Sequence, residues 1–502
     1  MTQNNTYISI KSSATKRIAL LLFLFSSFNY VYLKHTLNES NPANRVALCL
    51  ALWEDGSVVI DKYYHFSVDH CLRDGHYYCD KAPGVSFLAM PFVVAGYEAL
   101  KIAGRTSNLS EYDPNFPKES SPEPNINYKI LLIVGSLVVS LISAVALCVN
   151  FILLRQLGVA TRVALFGAFV LGFGTPFGVW STVMFGHAPA GAFLLFGTAL
   201  AMFLSSDRNN NSFKEKRIRK IVLWIVTGFF LAYVVWIEYT SAVPACIIGI
   251  AILCTLKERG DTMSDLLKTT GLLFLGALPI AVCFFIYNTI AFGGPFTLGY
   301  KYDLTNFPEM GKGFYGIQLP NFHVLLLTLF SPQHGILWFS PVLILSLPLA
   351  LYNIYRNHYR ALNVACLLIP VYYFLMNSSY VYWKQTYVSC RHVTGSLPFL
   401  VLPIFLAWSS LGKIFHRIIV FLSMVSLVIC FMSINLPASE AMILASNKLV
   451  FVTREFLAGN IRNLLYYAGV NPYVSLLVLL VVWGIFIVLF CRACSEKNNP
   501  PD

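Results

Sequence analysis

The chain has 502 residues, 57% of them hydrophobic and 12% charged, with a formal net charge of +12. Soluble domains carry about 25% charged residues, so a water-soluble globular protein is excluded. The positive charge must be sorted by side of a membrane before it says anything about nucleic acid, and no nucleic-acid partner is expected.

Runs such as "IVLWIVTGFFLAYVVWI" (221–237) and "YVSLLVLLVVWGIFIVLF" (473–490) reach the roughly 18–20 apolar residues that cross a bilayer. Twelve spans are predicted, at about 18–33, 130–154, 163–181, 187–204, 221–237, 240–256, 270–292, 335–352, 361–376, 395–411, 418–435 and 473–491. The first is not followed by a small-residue cleavage site and is expected to stay as a helix. The expected architecture is an all-α polytopic bundle, one domain over 1–492 with a short cytoplasmic tail at 493–502.

With twelve spans, the side shared by both termini holds 20 of the 36 Lys and Arg but 7 of the 24 Asp and Glu. The loop "SSDRNNNSFKEKRIRK" (205–220) alone carries six basic residues, so this side is predicted to be cytoplasmic. The run 82–104 is long enough to cross as well, but a crossing there would invert the bias, and Pro91 and Gly96 suit a straight helix poorly. It is therefore expected on the outer face, within an external loop at 34–129 that also carries juxtamembrane helices. Further external segments are 293–334, 377–394 and 436–472, and the stretch 107–128 reads as a connector rich in Pro, Ser and Asn.

Within the first loop, "CLRDGHYYC" sets Cys71 and Cys79 astride an Asp74-Gly75 turn. A disulfide and two free thiols are equally compatible with that spacing. Immediately after it, Asp80 and Lys81 stand where the chain turns apolar. Asp80 can cap a helix beginning at Lys81, with Pro83 in its first turn. The free N–H groups of such a helix start and the Lys81 ammonium would together grip a phosphate at the membrane surface. The competing reading is a snorkelling lysine beside a capping acid.

The surrounding pattern decides between them. "NRVALCLALWEDGSVVIDKYY" (44–64) followed by "GHYYCDKAPG" (75–84), then "VWSTVMFGHAPAGAFLLFG" (179–197), "GGPFTLGYKYD" (293–303), "LFSPQHGILWFSPVL" (329–343) and "VSCRHVTGSLPFL" (388–400), resembles the membrane-embedded GT-C glycosyltransferases. The likeness is to the bacterial branch near the lipid A aminoarabinose transferases and protein O-mannosyltransferases. It implies a polyprenyl-phosphate sugar as donor and co-substrate, and inverting transfer onto an external lipid, glycan or protein acceptor. It also implies a bacterial plasma membrane. Asp80-Lys81 would occupy the family's acid–lysine position. Arg391, external and beside an apolar run, is the second expected cation, and Arg45, His187 and His392 are further substrate-site candidates, the histidines against the reading of interfacial or packing residues.

An inverting transfer needs a carboxylate to take the acceptor proton and cations to stabilise the departing phosphate. The related enzymes carry an acid near the start of the first loop, whereas here none stands between Asn41 and Arg45. Asp61, in "VVIDKYY", is the first candidate because the alternating residues around it could hold it rigidly; Glu54 and Asp55, in "WEDG", follow, against the reading of an ordinary polar turn. Seven of the ten histidines fall in external segments and His187 opens a span at the external face, but no helical ligand pair with a defined third ligand is evident, so no metal is assigned. The aromatic cluster "SYVYWKQTY" (379–387) suits an interfacial belt or a sugar platform. A multi-span carrier is the alternative class, but carriers place ionisable groups at mid-membrane and often repeat internally, and these spans are nearly free of charge.

Overall fold

A computed structural model describes residues 13–34, 40–106, 109, 125–206, 214–303, 307–384, 388–436 and 439–495. Most of the connector 107–128, the middle of the basic loop 205–220 and the tail from 496 onward lie outside the described residues.

The chain is a helical bundle. Helix α1 (Ser13–Tyr32) leads to α2 (Ser40–Glu54), a hairpin of β1 (His70–Arg73) and β2 (His76–Cys79), and α3 (Gly84–Ile102). Then come α4 (Ile126–Gln156), α5 (Thr161–Phe173), the single turn α6 (Phe177–Trp180), α7 (His187–Ser206), α8 (Lys214–Ile237), α9 (Ala242–Arg259) and α10 (Met263–Phe292). The last part holds α11 (Phe322–Phe330), α12 (Ile336–Phe339), α13 (Ser346–Tyr355), α14 (Arg360–Ser379), α15 (Leu397–Leu406) and α16 (Lys413–Ile434). It closes with the short helices α17 (Glu440–Leu444), α18 (Lys448–Leu457) and α19 (Leu464–Tyr467), followed by α20 (Pro472–Ser495).

Among the described residues ten helices are long and apolar enough to cross a membrane, and the chain is a multi-pass membrane protein. Nine coincide with predicted spans. The remaining three predicted spans are α1, whose Lys16, Arg17, Ser26, Ser27 and Asn29 interrupt its apolar run, and two shorter apolar segments, Thr161–Phe173 and Pro341–Tyr355.

The tenth long helix is α3, the run read as lying on the outer face. It starts at the end of α8, where a Cβ on Gly84 would come 2.5 Å from the Trp236 carbonyl oxygen. From there it packs on the first turns of α4, with Gly96 against Leu131 and Val134 and Val93 against Gly135. Further along α4, Ser136 and Ser140 accept hydrogen bonds from Lys34, just beyond the end of α1. At 1.5 Å per residue the 31 residues of α4 exceed the roughly 20 that a bilayer needs. Helix α3 therefore packs on the part of α4 that precedes its contacts with Lys34.

Tight packing between spans rests on small residues. Helices α8 and α10 cross where Gly228 faces Leu273 and Gly276 faces Ile225; a Cβ at either glycine would sit about 2 Å from a backbone oxygen, at 2.0 Å and 1.9 Å. Such close backbone approach is how membrane helices gain dispersion energy where no hydrophobic drive between them exists.

Candidate active site

One end of the bundle collects the polar chemistry. A cavity of about 320 Å³ opens there. It is lined by Asn41 and Arg45 of α2, Lys81 and Ala82 before α3, His187 at the start of α7, Glu238 and Tyr239 between α8 and α9, and Arg391 and His392 before α15. Tyr300, Phe314, Tyr315, Tyr372 and Tyr380 form an aromatic wall. A larger cavity of about 380 Å³, among residues of α1, α5, α16 and α20, is lined almost wholly by apolar side chains and has no Asp, Glu, Lys, Arg or His among its lining residues.

Arg45 is buried, yet pairs with no carboxylate among the described residues: Nε donates to Asn41 Oδ1 at 2.9 Å and Nη1 to the Ala82 carbonyl at 2.8 Å. Arg391 lies 5.6 Å above the Phe185 ring, and its buried Nε has no hydrogen-bond partner among the described residues. A buried donor left unpaired costs about 1–3 kcal/mol, so this one is poised for an anionic ligand. His392 Nε2 is equally unpaired, and the ring meets His187 and Tyr380 edge-on at 5.3 and 5.0 Å.

Lys81 stands among acids. Its Nζ is 2.5 Å from Asp80 Oδ2 and 3.4 Å from Asp69 Oδ2, and it lies 5.9 Å from the Tyr300 ring centre. Burial alone would lower the ammonium's pKa, but Asp69 and Asp80 outweigh it and hold it well above the ordinary lysine value. Asp80 is fully buried and accepts from Asn44 Nδ2 at 2.9 Å. Burial pushes its carboxyl up to about 6. Asp303, buried beside it, is raised too, first by burial and then by the Asp80 charge. Gly299 lets the loop pass over this group, since a Cβ would lie 2.9 Å from Asp80 Cα.

The structure corrects the helix-cap reading of Asp80. Helix α3 begins at Gly84, its N-cap is Pro83, and no side chain caps it. Asn44 and Lys81 claim the Asp80 carboxylate instead, and the first turn of α3 is closed by α8, where Tyr233 Oη donates to the Gly84 carbonyl at 3.0 Å.

Of the residues singled out in the sequence, Arg45, Lys81, His187, Arg391 and His392 line the cavity, with Asp80 behind Lys81. The three candidate bases do not line it. Asp61 is 42% exposed, paired with His76 Nδ1 at 2.7 Å and accepting the Tyr77 N–H at 2.7 Å. Asp55 pairs with Lys62 at 2.5 Å, and Glu54 accepts hydrogen bonds from Tyr63 and Tyr97. Cys71 and Cys79 are both buried free thiols: the hairpin register sets Cys71 opposite Tyr78 and Cys79 opposite His70. Among the described residues no group of three or more His, Cys, Asp or Glu side chains is arranged to hold a metal ion.

Glu238 joins the site unannounced by any motif. It carried one signal in sequence, an acid isolated between two long apolar runs, a placement that by default marks function. Its Oε1 is 3.3 Å from His187 Nδ1.

No protein-family model matches the sequence, and none of the curated proteins is significantly similar to it. Solved structures are. An oligosaccharyltransferase of Archaeoglobus fulgidus, tethered to an acceptor peptide containing the NVT sequon, superposes with a TM-score of 0.52 at 11% identity, over 87% of this chain and 56% of that one. The chain has the GT-C fold. The archaeal AglB in complex with an inhibitory peptide and a dolichol-phosphate superposes with a TM-score of 0.50 at 11% identity, over 85% of this chain and 56% of its own. ArnT from Cupriavidus metallidurans, bound to undecaprenyl phosphate, gives 0.47 at 12% identity over 95% and 74%. At these identities the likeness is one of fold, and the chain spans a little over half the length of the archaeal enzymes, 56%.

Proposed function

We propose that the protein is an inverting glycosyltransferase. It takes a sugar from a polyprenyl-phosphate donor and passes it to a lipid, glycan or protein acceptor at the external face of a bacterial plasma membrane, with both termini cytoplasmic. The observation that carries this reading is the convergence of three cations from separate elements, Arg45, Lys81 and Arg391, on one aromatic-lined cavity at the end of a membrane bundle. Neither arginine is neutralised by a carboxylate among the described residues, so a single phosphate would meet both charges in a poorly solvated site, where charge-assisted hydrogen bonds are strongest. The same donors stabilise the phosphate as it leaves. The aromatic wall gives the sugar faces to stack on, and the lipid tail has the bundle's apolar flank to follow. That the ionisable groups gather at one end of the bundle, not midway along it, favours transfer over a carrier.

The test is to incubate the purified protein in nanodiscs with a panel of labelled polyprenyl-phosphate sugars and membrane acceptors, beside a binding isotherm for polyprenyl phosphate alone. Transfer of one label and saturable binding are expected; absence of both overturns the reading. For the orientation, a cysteine at position 210 should be labelled only from the cytoplasm and one at position 115 only from outside.

A further inference from the structure

We infer that Glu238 is the proton acceptor of the transfer. The inference rests on the proposed glycosyl transfer and supplies what the first loop does not. Among the described residues Glu238 is the one carboxylate that lines the cavity. Asp80 is spent on Asn44 and Lys81 with no exposure, and Asp69 faces Lys81.

The chain builds Glu238 for this position. Helix α8 ends at Ile237, and Glu238 takes an extended backbone, φ −146° and ψ 111°, before the next turn begins. The break turns its side chain towards α7, where Oε1 lies 3.3 Å from His187 Nδ1. The approach depends on a missing side chain: a Cβ on Gly186 would stand 2.6 Å from Oε1. The carboxylate is 22% exposed, reachable from the cavity and largely shielded from bulk water.

Charges around it set its proton affinity. Burial raises the carboxyl above its ordinary value, and Arg45, Arg391 and Lys81 pull it back. The other titratable groups on this wall are His187, His392 and the phenols of Tyr239, Tyr300, Tyr315, Tyr372 and Tyr380. A base whose pKa is raised towards the working pH is the efficient kind.

The step balances without a further reactant. The acceptor oxygen attacks the anomeric carbon from the face opposite the phosphate, forming the new glycosidic bond. The bond from that carbon to the phosphate oxygen breaks, and its electron pair leaves with polyprenyl phosphate, which the three cations hold. The acceptor's proton passes to Glu238 and then to water.

The experiment compares parent, Glu238→Gln and Glu238→Asp in nanodiscs, with polyprenyl phosphate as the binding probe and the panel sugar that the parent accepts as donor. Glu238→Gln should bind polyprenyl phosphate as well as the parent does and transfer about 10²–10⁴-fold more slowly, the usual contribution of general base catalysis. Glu238→Asp should recover part of the rate. The acid limb of the parent's pH–rate profile should vanish from the residual activity of Glu238→Gln. Parent-like transfer, a retained acid limb, or loss of phosphate binding together with transfer overturns the assignment to Glu238 while leaving the glycosyl-transfer reading intact. A parent that transfers no sugar of the panel overturns that reading, and this inference with it.

Discussion

Lys81 Nζ lies 2.5 Å from Oδ2 of Asp80, its own neighbour in sequence, and Asp80 has no solvent exposure at all. A cation held this way is oriented before any ligand arrives. Lys81→Ala should weaken polyprenyl-phosphate binding by roughly ten- to a hundred-fold, the worth of a charge-assisted contact of about 1.5–3 kcal/mol. Lys81→Arg should recover only part, because the guanidinium fork does not fit a cage shaped for a compact ammonium. Asp80→Asn should cost less affinity, since it removes the orienting partner and leaves the charge. Both losses should come with a lower melting temperature, as breaking a buried pair costs about 3–5 kcal/mol. Unchanged affinity in a folded Lys81→Ala protein would return this lysine to a structural role.

Asp303 faces Asp80 from the far side, and its raised pKa has a consequence for stability. In the unfolded chain this carboxyl ionises near the usual aspartate value of about 3.9; in the fold it keeps its proton to higher pH. Folding therefore takes up a proton, and the contribution to stability is full below the unfolded pKa and lost as pH rises through the folded one. Asparagine cannot ionise. Melting curves of Asp303→Asn against parent should show the variant gaining relative stability between pH 5 and pH 8, whereas a constant or falling difference would contradict a buried, protonated Asp303.

The crossing of α8 and α10 predicts a packing defect on adding one methyl group. Gly276→Ala should destabilise by about 1–3 kcal/mol, the cost of overpacking, because the new carbon would meet the Ile225 backbone. Gly249→Ala, with nothing within 4 Å of its Cβ position, is the matched control and should melt like the parent. Equal melting temperatures for the two variants would show that the helices can separate freely.

Asp61 bears on the base from the other direction. Its ion pair with His76 is exposed, 56% for the histidine and 42% for the acid, and exposed pairs contribute at most about 1 kcal/mol. Asp61→Asn should keep transfer near the parent rate. If it instead abolished transfer with the fold intact, the proton acceptor would lie in the first loop after all.

The spans were readable because length and apolarity need no partner to be meaningful, while α3, which the charge bias assigned to the outer face, is itself long and apolar enough to cross. Arg45, Lys81, His187, Arg391 and His392 were also readable, each as a polar residue at an apolar border. Two things were not. The role of Asp80 depends on Asn44, 36 residues away, a contact that no local pattern encodes, so the local capping rule gave the wrong partner. Asp61 looked held by its apolar neighbours, but the β hairpin turns it to solvent, where His76 is its partner.

Arg45 and Arg391 stand 346 positions apart in the chain, 391 minus 45, yet they line one cavity. A ribosome adding roughly 5–20 residues per second needs about 17–70 s to cover that interval. For all that time Arg45 is already made, joined first by Lys81 and later by Glu238, and the second arginine is not. On the proposed reading, no fragment ending before residue 391 can present all three cations to one phosphate.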